Sequence, residues 1–314
     1  MKKISPFIFA LLLSAAVGCK KDTPTQEGDP ANGALVKFLH TAPGTPAIDG
    51  YINTTKITPQ ASVSVTDNAL VTSITTGITY NYLGSVTSYL GQFPGNNYAV
   101  VPAGNTTIKV VASTPAPALI SQQTSTPGAI IGSVTQNTTS GTAYSVFTMG
   151  LPGSTTTPLS VKVVEDKFPA AASGKAYIRF AHMIPNGAPV DVTGTYTPTG
   201  GAATTSPLVT GTAYGTVTDF VAVPVNAVST SSYTFQMYLA GTQTKLGAVS
   251  GTVTVAPGRY YTIIGRGLAA NYVVPGINVT LRSTARPSLP VTDPTTKLPE
   301  IYFNPPGIVF YTNK

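Results

Sequence analysis

The chain has 314 residues, enough for about two domains, and only 9% of them are charged, against 30 glycines and 27 prolines. Glu, Lys, Arg and Leu are too scarce for long amphipathic helices, whereas β-branched runs separated by Pro-Gly pairs are typical of all-β proteins. The net charge of +7 does not indicate a nucleic-acid partner, because the basic residues are scattered singly apart from Lys2-Lys3 and Lys20-Lys21 and form no basic helix or stripe.

The amino terminus is typical of an exported lipoprotein. Two lysines precede an apolar run that is too short to cross about 30 Å of hydrocarbon, and the run ends in Ala16-Val17-Gly18-Cys19. Small residues before the single cysteine resemble a lipobox, whereas an ordinary signal peptide leaves this cysteine without a role, since no second cysteine exists for a disulfide. We therefore predict a signal peptide over residues 1–18, a lipid on the sulfur of Cys19 and a flexible tether over residues 19–33.

A pattern of eight residues occurs twice. VKFLHTAP at residues 36–43 recurs as IRFAHMIP at 178–185, and the only two histidines of the chain, His40 and His182, hold the same place in the two copies. The match continues in three further pairs of segments, namely 84–89 with 215–220, 141–151 with 258–268, and 159–164 with 277–282. Repetition at this length indicates duplicated domains rather than a solenoid, whose repeats span roughly 20 to 50 residues.

The repetition predicts two tandem β-sandwiches, repeat 1 over 34–168 and repeat 2 over 175–289, joined by a short linker. The second unit contains seven short apolar or alternating runs with turn signals between them, which is the pattern of an immunoglobulin-like sandwich. Its segment from Thr197 to Gly211, rich in Gly, Ala and Thr, is predicted to be a projecting loop. Residues 290–314 form a Pro-rich tail whose last apolar run is predicted to be a strand, either of the second sandwich or paired with a neighbour.

The paired motifs resemble domain-of-unknown-function family 4397. The resemblance rests on three signatures present in both units: the His-x-x-Pro stretch followed by Asp49 or Asp191, the Gly-x-Val-Thr segment, and the Gly-x-x-Tyr strand that contains Tyr144 or Tyr261. It implies an extracellular β-sandwich, often in tandem and often lipid-anchored, with no established activity. The first unit departs from the pattern over residues 50–83, where it is longer than the second, so its strand order there is left open.

Strand alternation predicts where the side chains of the repeated motif lie. With a period of two, His40 and His182 fall on the apolar face of their strands, while Lys37 and Arg179 fall on the other face, which we expect to be exposed to solvent. We interpret each histidine as a core-edge residue that bonds either the aspartate nine residues on or a backbone group across the turn. The alternative, a metal site, needs three or four ligands, and each unit offers one histidine and one or two carboxylates. We therefore predict no metal, no cofactor and no catalytic residue.

Two tyrosines carry a second structural signature. Tyr144 and Tyr261 each follow a glycine by three residues at the start of a β-branched strand. That spacing is typical of a tyrosine corner, in which the hydroxyl bonds back to the backbone at a sandwich crossing. Contact with a ligand is the alternative. We assign both tyrosines to holding the fold, together with the two histidines and the two aspartates.

The sequence as a whole predicts a non-enzymatic cell-envelope lipoprotein with a binding, adhesion or structural role. We expect it in the outer membrane of a Gram-negative bacterium, on the periplasmic side or at the cell surface, held by the lipid on Cys19 and in contact with an envelope protein or a polysaccharide. Carbohydrate binding in glycan capture is the alternative. Three exposed tyrosines in a coplanar row on one sheet face would favour it, since the chain has no tryptophan to serve as a platform. An enzyme would need a pocket where His182, Asp191 and another ionisable group converge.

Overall fold

The structure, a computed structural model, describes residues 32–67, 70–80, 91–114, 124–198, 200–290 and 292–314. These residues form strands, turns and two short 3-10 helices, so the chain is an all-β protein with a sandwich fold, as the sequence predicts. The predicted signal peptide, Cys19, nearly all of the tether and the Gly-x-Val-Thr segment at 84–89 lie outside the described residues. Within the part of the chain that is described, no helix is long and apolar enough to span a membrane.

The first half of the chain contains eleven strands among its described residues. In chain order they are β1 (Gly33–His40), β2 (Ile48–Ile52), β3 (Thr55–Lys56), β4 (Ala61–Asp67), β5 (Leu70–Thr76), β6 (Gly91–Phe93), β7 (Ala99–Pro102), β8 (Gly104–Ala112), β9 (Ile130–Thr138), β10 (Ala143–Met149) and β11 (Ser160–Glu165).

The second half contains the other eleven strands and both 3-10 helices of the described chain. The strands are β12 (Lys175–Met183), β13 (Val190–Thr197), β14 (Thr204–Thr212), β15 (Val221–Pro224), β16 (Ser231–Leu239), β17 (Lys245–Leu246), β18 (Val253–Val255), β19 (Tyr260–Arg266), β20 (Tyr272–Val274), β21 (Val279–Leu281) and β22 (Gly307–Thr312), and the 3-10 helices are Pro294–Lys297 and Glu300–Tyr302.

Two sheets face each other in the first half. Sheet I has the order β11-β10-β1-β6, with β7 also pairing with β1, and sheet II has the order β3-β2-β8-β9. Between them lies a core to which each strand contributes every second residue, such as Val36 and Phe38 from β1 and Ile108 and Val110 from β8. Strands β4 and β5, within the segment whose order the sequence leaves open, form a separate hairpin.

The second half repeats this arrangement. Sheet III has the order β15-β12-β19-β22, and sheet IV has the order β14-β13-β16-β17, with β18 also pairing with β16. The strand that carries the histidine motif pairs parallel with the tyrosine-corner strand in both halves, β1 with β10 and β12 with β19. The core of this sandwich includes Phe180 and Ile263 from sheet III and Val192 and Phe235 from sheet IV.

The two sandwiches stack through sheets I and III, which gives four layers in the order II, I, III, IV. Leu39 and Phe147 of sheet I pack against Met183, Ile264 and Val309 of sheet III, and all five are buried. Because this contact covers the outer faces of sheets I and III, their central strands are buried on both sides. Strand β1 is almost entirely buried for that reason.

The prediction that Lys37 and Arg179 face solvent is wrong. Their side chains do leave the strands opposite to the histidines, but the face they occupy is the one that the neighbouring sandwich covers. Lys37 is fully buried and Arg179 is 2% exposed. Alternation along a strand gives the face on which a residue lies, but it gives no information about what packs against that face.

The prediction of a projecting loop from Thr197 to Gly211 is also wrong over most of its length. Residues Thr204–Thr212 form β14, which pairs antiparallel with β13 at the edge of sheet IV. The register shifts next to Pro207, as expected where a proline lies in an edge strand. The Thr-rich composition resembled a loop, but an edge strand needs only a few apolar side chains, and Leu208 and Val209 supply them here.

The predicted equivalence of residues 159–164 with 277–282 fails in the second half. β11 pairs with β10, whereas the place beside β19 is taken by β22, at the end of the tail. Val279–Leu281 instead pairs with β20 across a tight turn, in which Asn278 has a φ of 49°. The terminal strand predicted for residues 290–314 is present, and it belongs to the second sandwich.

Candidate functional site at the interface between the sandwiches

The two histidines make the same bond in the two halves. The Nε2 of His40 lies 2.9 Å from the carbonyl oxygen of Pro46, and the Nε2 of His182 lies 3.0 Å from that of Ala188. Both side chains are buried. An N–H at Nε2 donates to the carbonyl in each case and fixes the turn that follows the strand. Of the two partners considered from the sequence, each histidine therefore bonds the backbone group.

Each of the two aspartates bonds residues outside its own strand. The carboxylate of Asp49 lies 3.0 Å from the ammonium of Lys56. The carboxylate of Asp191 accepts the backbone N–H of Gly211 at 2.7 Å and that of Gly241 at 2.8 Å, and these two bonds lower the pKa of Asp191. Among the described residues neither carboxylate is hydrogen-bonded to a histidine, so the motif does not form an acid–base pair.

Burial keeps both imidazole rings neutral. It lowers the pKa of His40 to about 4, although the bond to Pro46 opposes the shift, and it also lowers the pKa of His182. A neutral ring that donates from Nε2 can accept at Nδ1, and the Nδ1 of His182 lies 3.3 Å from the backbone N–H of Ile184. These rings are therefore fixed structural groups at neutral pH.

The predicted corner tyrosines bond the backbone just upstream of their strands. The hydroxyl of Tyr144 accepts the N–H of Thr139 at 3.0 Å, and that of Tyr261 accepts the N–H of Ala256 at 2.9 Å. Tyr177 makes a similar bond that was not predicted from the sequence, in which its hydroxyl accepts the N–H of Ala172 at 2.9 Å. Each hydroxyl thus ties the start of a central strand to the loop that precedes it.

A buried ion pair lies between sheets I and III. The Nη2 of Arg179 donates to Oδ1 of Asp166 at 2.5 Å and lies 3.1 Å from the hydroxyl of Ser145. Its Nε donates to the hydroxyl of Thr262 at 2.8 Å. Asp166 is 3% exposed, and it follows β11, whereas Arg179 lies in β12. This ion pair therefore joins the two halves in a region from which water is excluded.

The second carboxylate oxygen of Asp166 is also engaged. Oδ2 accepts the hydroxyls of Tyr98 at 2.5 Å and Ser145 at 2.8 Å, and the side-chain nitrogen of Asn313 lies 3.4 Å away. Asn313 follows β22 and donates to the hydroxyl of Tyr98 at 2.8 Å, while Tyr311 of β22 bonds Ser145 at 2.9 Å. The end of the chain thus contributes two side chains to a network centred on a carboxylate of the first half. We call Lys37, Tyr98, Ser145, Asp166, Arg179, Thr262, Tyr311 and Asn313 the interface network.

Lys37 adds a second buried cation to the interface network. Its ammonium donates to the carbonyl oxygen of Pro94 at 2.9 Å and lies 5.4 and 5.7 Å from the ring centroids of Tyr98 and Tyr311. Burial lowers the pKa of Lys37 to about 8, and Asp166 opposes this shift only in part. The interface network therefore contains two cations and one carboxylate, and aromatic faces supply additional partial negative charge.

Residues 34–193, just over half of the chain, match a family described as Domain of unknown function (DUF4397). The chain belongs to this family. The match runs from β1 into β13, so it includes both histidine motifs and the pair Asp166–Arg179. The comparison with curated proteins found no match. Among solved structures the chain is similar to a candidate cell adhesion protein from Bacteroides fragilis NCTC 9343, at 12% identity and a TM-score of 0.15, over 81% of this chain and 100% of that one.

A second polar contact in this DUF4397 chain links β19 to the histidine motif of the first half. Arg266 is fully buried, and its guanidinium carbon lies 4.8 Å from the ring centroid of Tyr80. Tyr80 packs edge-on against His40, with 5.6 Å between the ring centroids, and burial raises the pKa of Tyr80. In the second half Tyr214 packs against His182 in the same edge-on way, at 6.3 Å.

Each sandwich has a cleft at a corresponding edge. The cleft in the second sandwich, about 210 Å³, lies between β14 and β15 and is lined by the near-parallel rings of Tyr196, Tyr233 and Phe235. Tyr233 and Phe235 are buried, so this is not the exposed row of three tyrosines that would favour a carbohydrate ligand. The cleft in the first sandwich, about 450 Å³, lies between β7 and the β2–β3 hairpin.

The interface network was not predicted from the sequence, although one signal for it was present. Both copies of the repeated motif place a cation, Lys37 or Arg179, at the same position inside an otherwise apolar strand. A residue on a solvent-exposed face can be of many polar types, so the repetition of a cation at this position indicates a specific contact. Asp166 has no such signal, because it follows its strand as one of several scattered acidic residues. Within the described ranges no group of three or more His, Cys, Asp or Glu side chains could hold a metal ion.

Proposed function

We propose that the protein is a non-enzymatic lipoprotein of the bacterial cell envelope, in which a stacked two-sandwich body binds or supports another envelope component. The proposal rests on the contacts that the buried ionisable residues make. His40 and His182 bond backbone carbonyls, and Asp166 and Arg179 bond each other and their neighbours across the interface. The histidines hold turns in place and the ion pair holds two sheets together, so the outward faces and loops remain as the surfaces for contact.

The outward faces of sheets II and IV suit contact with a hydrated partner. Paired threonine hydroxyls lie on them, Thr107 with Thr135 at 2.9 Å and Thr195 with Thr205 at 2.8 Å. Such hydroxyl-rich surfaces can exchange hydrogen bonds with a polysaccharide or with another envelope protein. The choice between these two partners is open, and adhesion is one role that either would serve.

The anchor part of the proposal rests on the order of segments in the sequence. A signal-like apolar run, the single cysteine at its end and a polar tether precede the first described strand. Several acyl chains on Cys19 would hold the protein in a membrane, because each buried methylene adds about 0.8 kcal/mol. The outer membrane of a Gram-negative bacterium is the location that we propose, with the body on either side of it.

Metabolic labelling with an alkyne fatty acid tests the anchor. We expect the native protein to incorporate the label and to sediment with the membrane fraction, and we expect Cys19→Ser to do neither. A matched variant, Thr23→Ser, lies in the same stretch and should keep the label. Protease treatment of intact cells then shows on which side of the membrane the body lies. An unlabelled native protein, or a labelled Cys19→Ser variant, would refute the anchor.

A further inference from the structure

The outer edge of β22 differs from the other edges of sheets I to IV. An exposed edge strand offers unpaired N–H and C=O groups to any other strand, and natural proteins protect such edges by short length, proline, charge or register shifts. In sheets I to IV, short length protects the edge strands β3, β6, β17 and β18. Short length and a terminal proline protect β7 and β15. A register shift protects β9, Pro207 and a register shift protect β14, and the charges of Lys162 and Glu165 protect β11.

β22 has none of these features. It is six residues long, its sequence is GIVFYT, and its pairing with β19 is regular throughout. β11, which occupies the equivalent place in the first half, carries the exposed charges Lys162 and Glu165, so the two halves differ at this edge. Among the described residues β22 pairs with β19 alone.

The backbone groups of β22 that point towards β19 can be told apart from those that point away from it. The N–H of Asn313 donates to the carbonyl oxygen of Tyr260 in β19. Because these groups alternate along an antiparallel strand, the N–H and C=O groups of Ile308, Phe310 and Thr312 point away from β19. Phe310 is also 40% exposed, whereas the other apolar side chains of the strand are buried.

We propose that β22 pairs antiparallel with β22 of a second copy of this chain, about a two-fold axis at Phe310. The outward backbone groups then bond each other, Phe310 with Phe310 and Ile308 with Thr312. Opposite residues in this register lie on the same face, so the two exposed phenylalanine rings become cross-strand neighbours, a favourable aromatic pair. No charged residue opposes another, and sheet III of one copy continues into sheet III of the second.

A second copy is the partner that this edge fits, because the strand is complementary to itself. A two-fold axis perpendicular to the sheet keeps the faces of both strands aligned, and the register at Phe310 uses all three outward-pointing residues of β22. This dimer is independent of the proposed lipid anchor, so failure of one leaves the other standing.

Sedimentation of the full chain in mild detergent tests the dimer. We expect the native protein to form a dimer in a concentration-dependent way. Phe310→Lys should be monomeric and folded, because it places two ammonium groups opposite each other only in the dimer. Ile130→Lys, a matched change at an exposed residue of β9, should remain dimeric. A native protein that is monomeric at high concentration, or a Phe310→Lys variant that remains a dimer, would overturn the proposal.

Disulfide trapping tests the register. In a Cys19→Ser background, Phe310→Cys places two thiols at the axis, where a hydrogen-bonded antiparallel pair has Cα atoms about 5.5 Å apart, within disulfide range. We expect this variant to form a covalent dimer on mild oxidation and Thr312→Cys to do so poorly, since Thr312 opposes Ile308. Equal cross-linking of both variants would overturn the register. Cross-linking of the Phe310→Cys variant only to a different protein would overturn the choice of a second copy.

Discussion

Arg179 and Asp166 come from opposite halves of the chain and meet at 2.5 Å between two sheets, in a layer where neither side chain is more than 3% exposed. Removing two charges from water is costly, so such a pair contributes little net stability compared with apolar residues of similar shape. We infer that its effect is one of specificity, because only the observed stacking of sheets I and III supplies each charge with its partner.

Loss of the carboxylate should destabilise the protein strongly. Asp166→Asn leaves the Arg179 guanidinium buried without a counter-charge, and we expect the free energy of unfolding to fall by about 3–5 kcal/mol. Urea denaturation measures the change. Glu300→Gln is the control, because Glu300 lies 3.9 Å from Arg286 at the partly exposed surface, where such a pair contributes about 0–1 kcal/mol. Equal small losses in both variants would contradict the role of the interface network.

Lys37 should make stability rise with pH. Burial holds its pKa at about 8 in the folded protein, below the ordinary value of 10.5, so the unfolded chain keeps the proton to higher pH. The free energy of unfolding should therefore increase as pH rises through 8, since the native protein no longer buries an ammonium. Lys37→Met should lack this increase between pH 8 and about 9.5, before exposed tyrosines ionise. Identical slopes in the two proteins would refute the assignment.

His40 should make the protein sensitive to mild acid. Its folded pKa of about 4 lies below the ordinary 6.5, so the stability present above pH 6.5 is lost as pH falls towards 4, by up to about 3 kcal/mol. His40→Gln keeps an N–H that can donate to Pro46 but has no titrating group. Denaturation at pH 7, 6 and 5 should show a smaller loss in this variant than in the native protein. A loss of the same size in both would show that His40 is not responsible.

The sequence predicted local features correctly where the position of a side chain depends only on its own strand. The apolar alternation of β1 and β12 placed both histidines on the core side, and the glycine-to-tyrosine spacing placed the hydroxyls of Tyr144 and Tyr261 near the backbone. Both features depend on neighbours within a few residues along the chain, so a periodic pattern contains enough information.

Features that depend on distant partners could not be predicted in the same way. Val279–Leu281 and Ile308–Tyr311 are both short apolar runs, and composition does not decide which of them lies beside β19. Lys37 and Arg179 lay on the predicted face, but the stacking of a second sandwich on that face is a property of the whole chain. The interface network therefore became visible only when the sheets were placed together.

We infer that the interface network joins the two sandwiches into a single cooperative unit. Differential scanning calorimetry of the native protein tests it most directly. We predict a single transition whose calorimetric and van't Hoff enthalpies agree, and a separation into two transitions in Asp166→Asn. Two separate transitions in the native protein would contradict the claim, because they would show that the two sandwiches unfold independently.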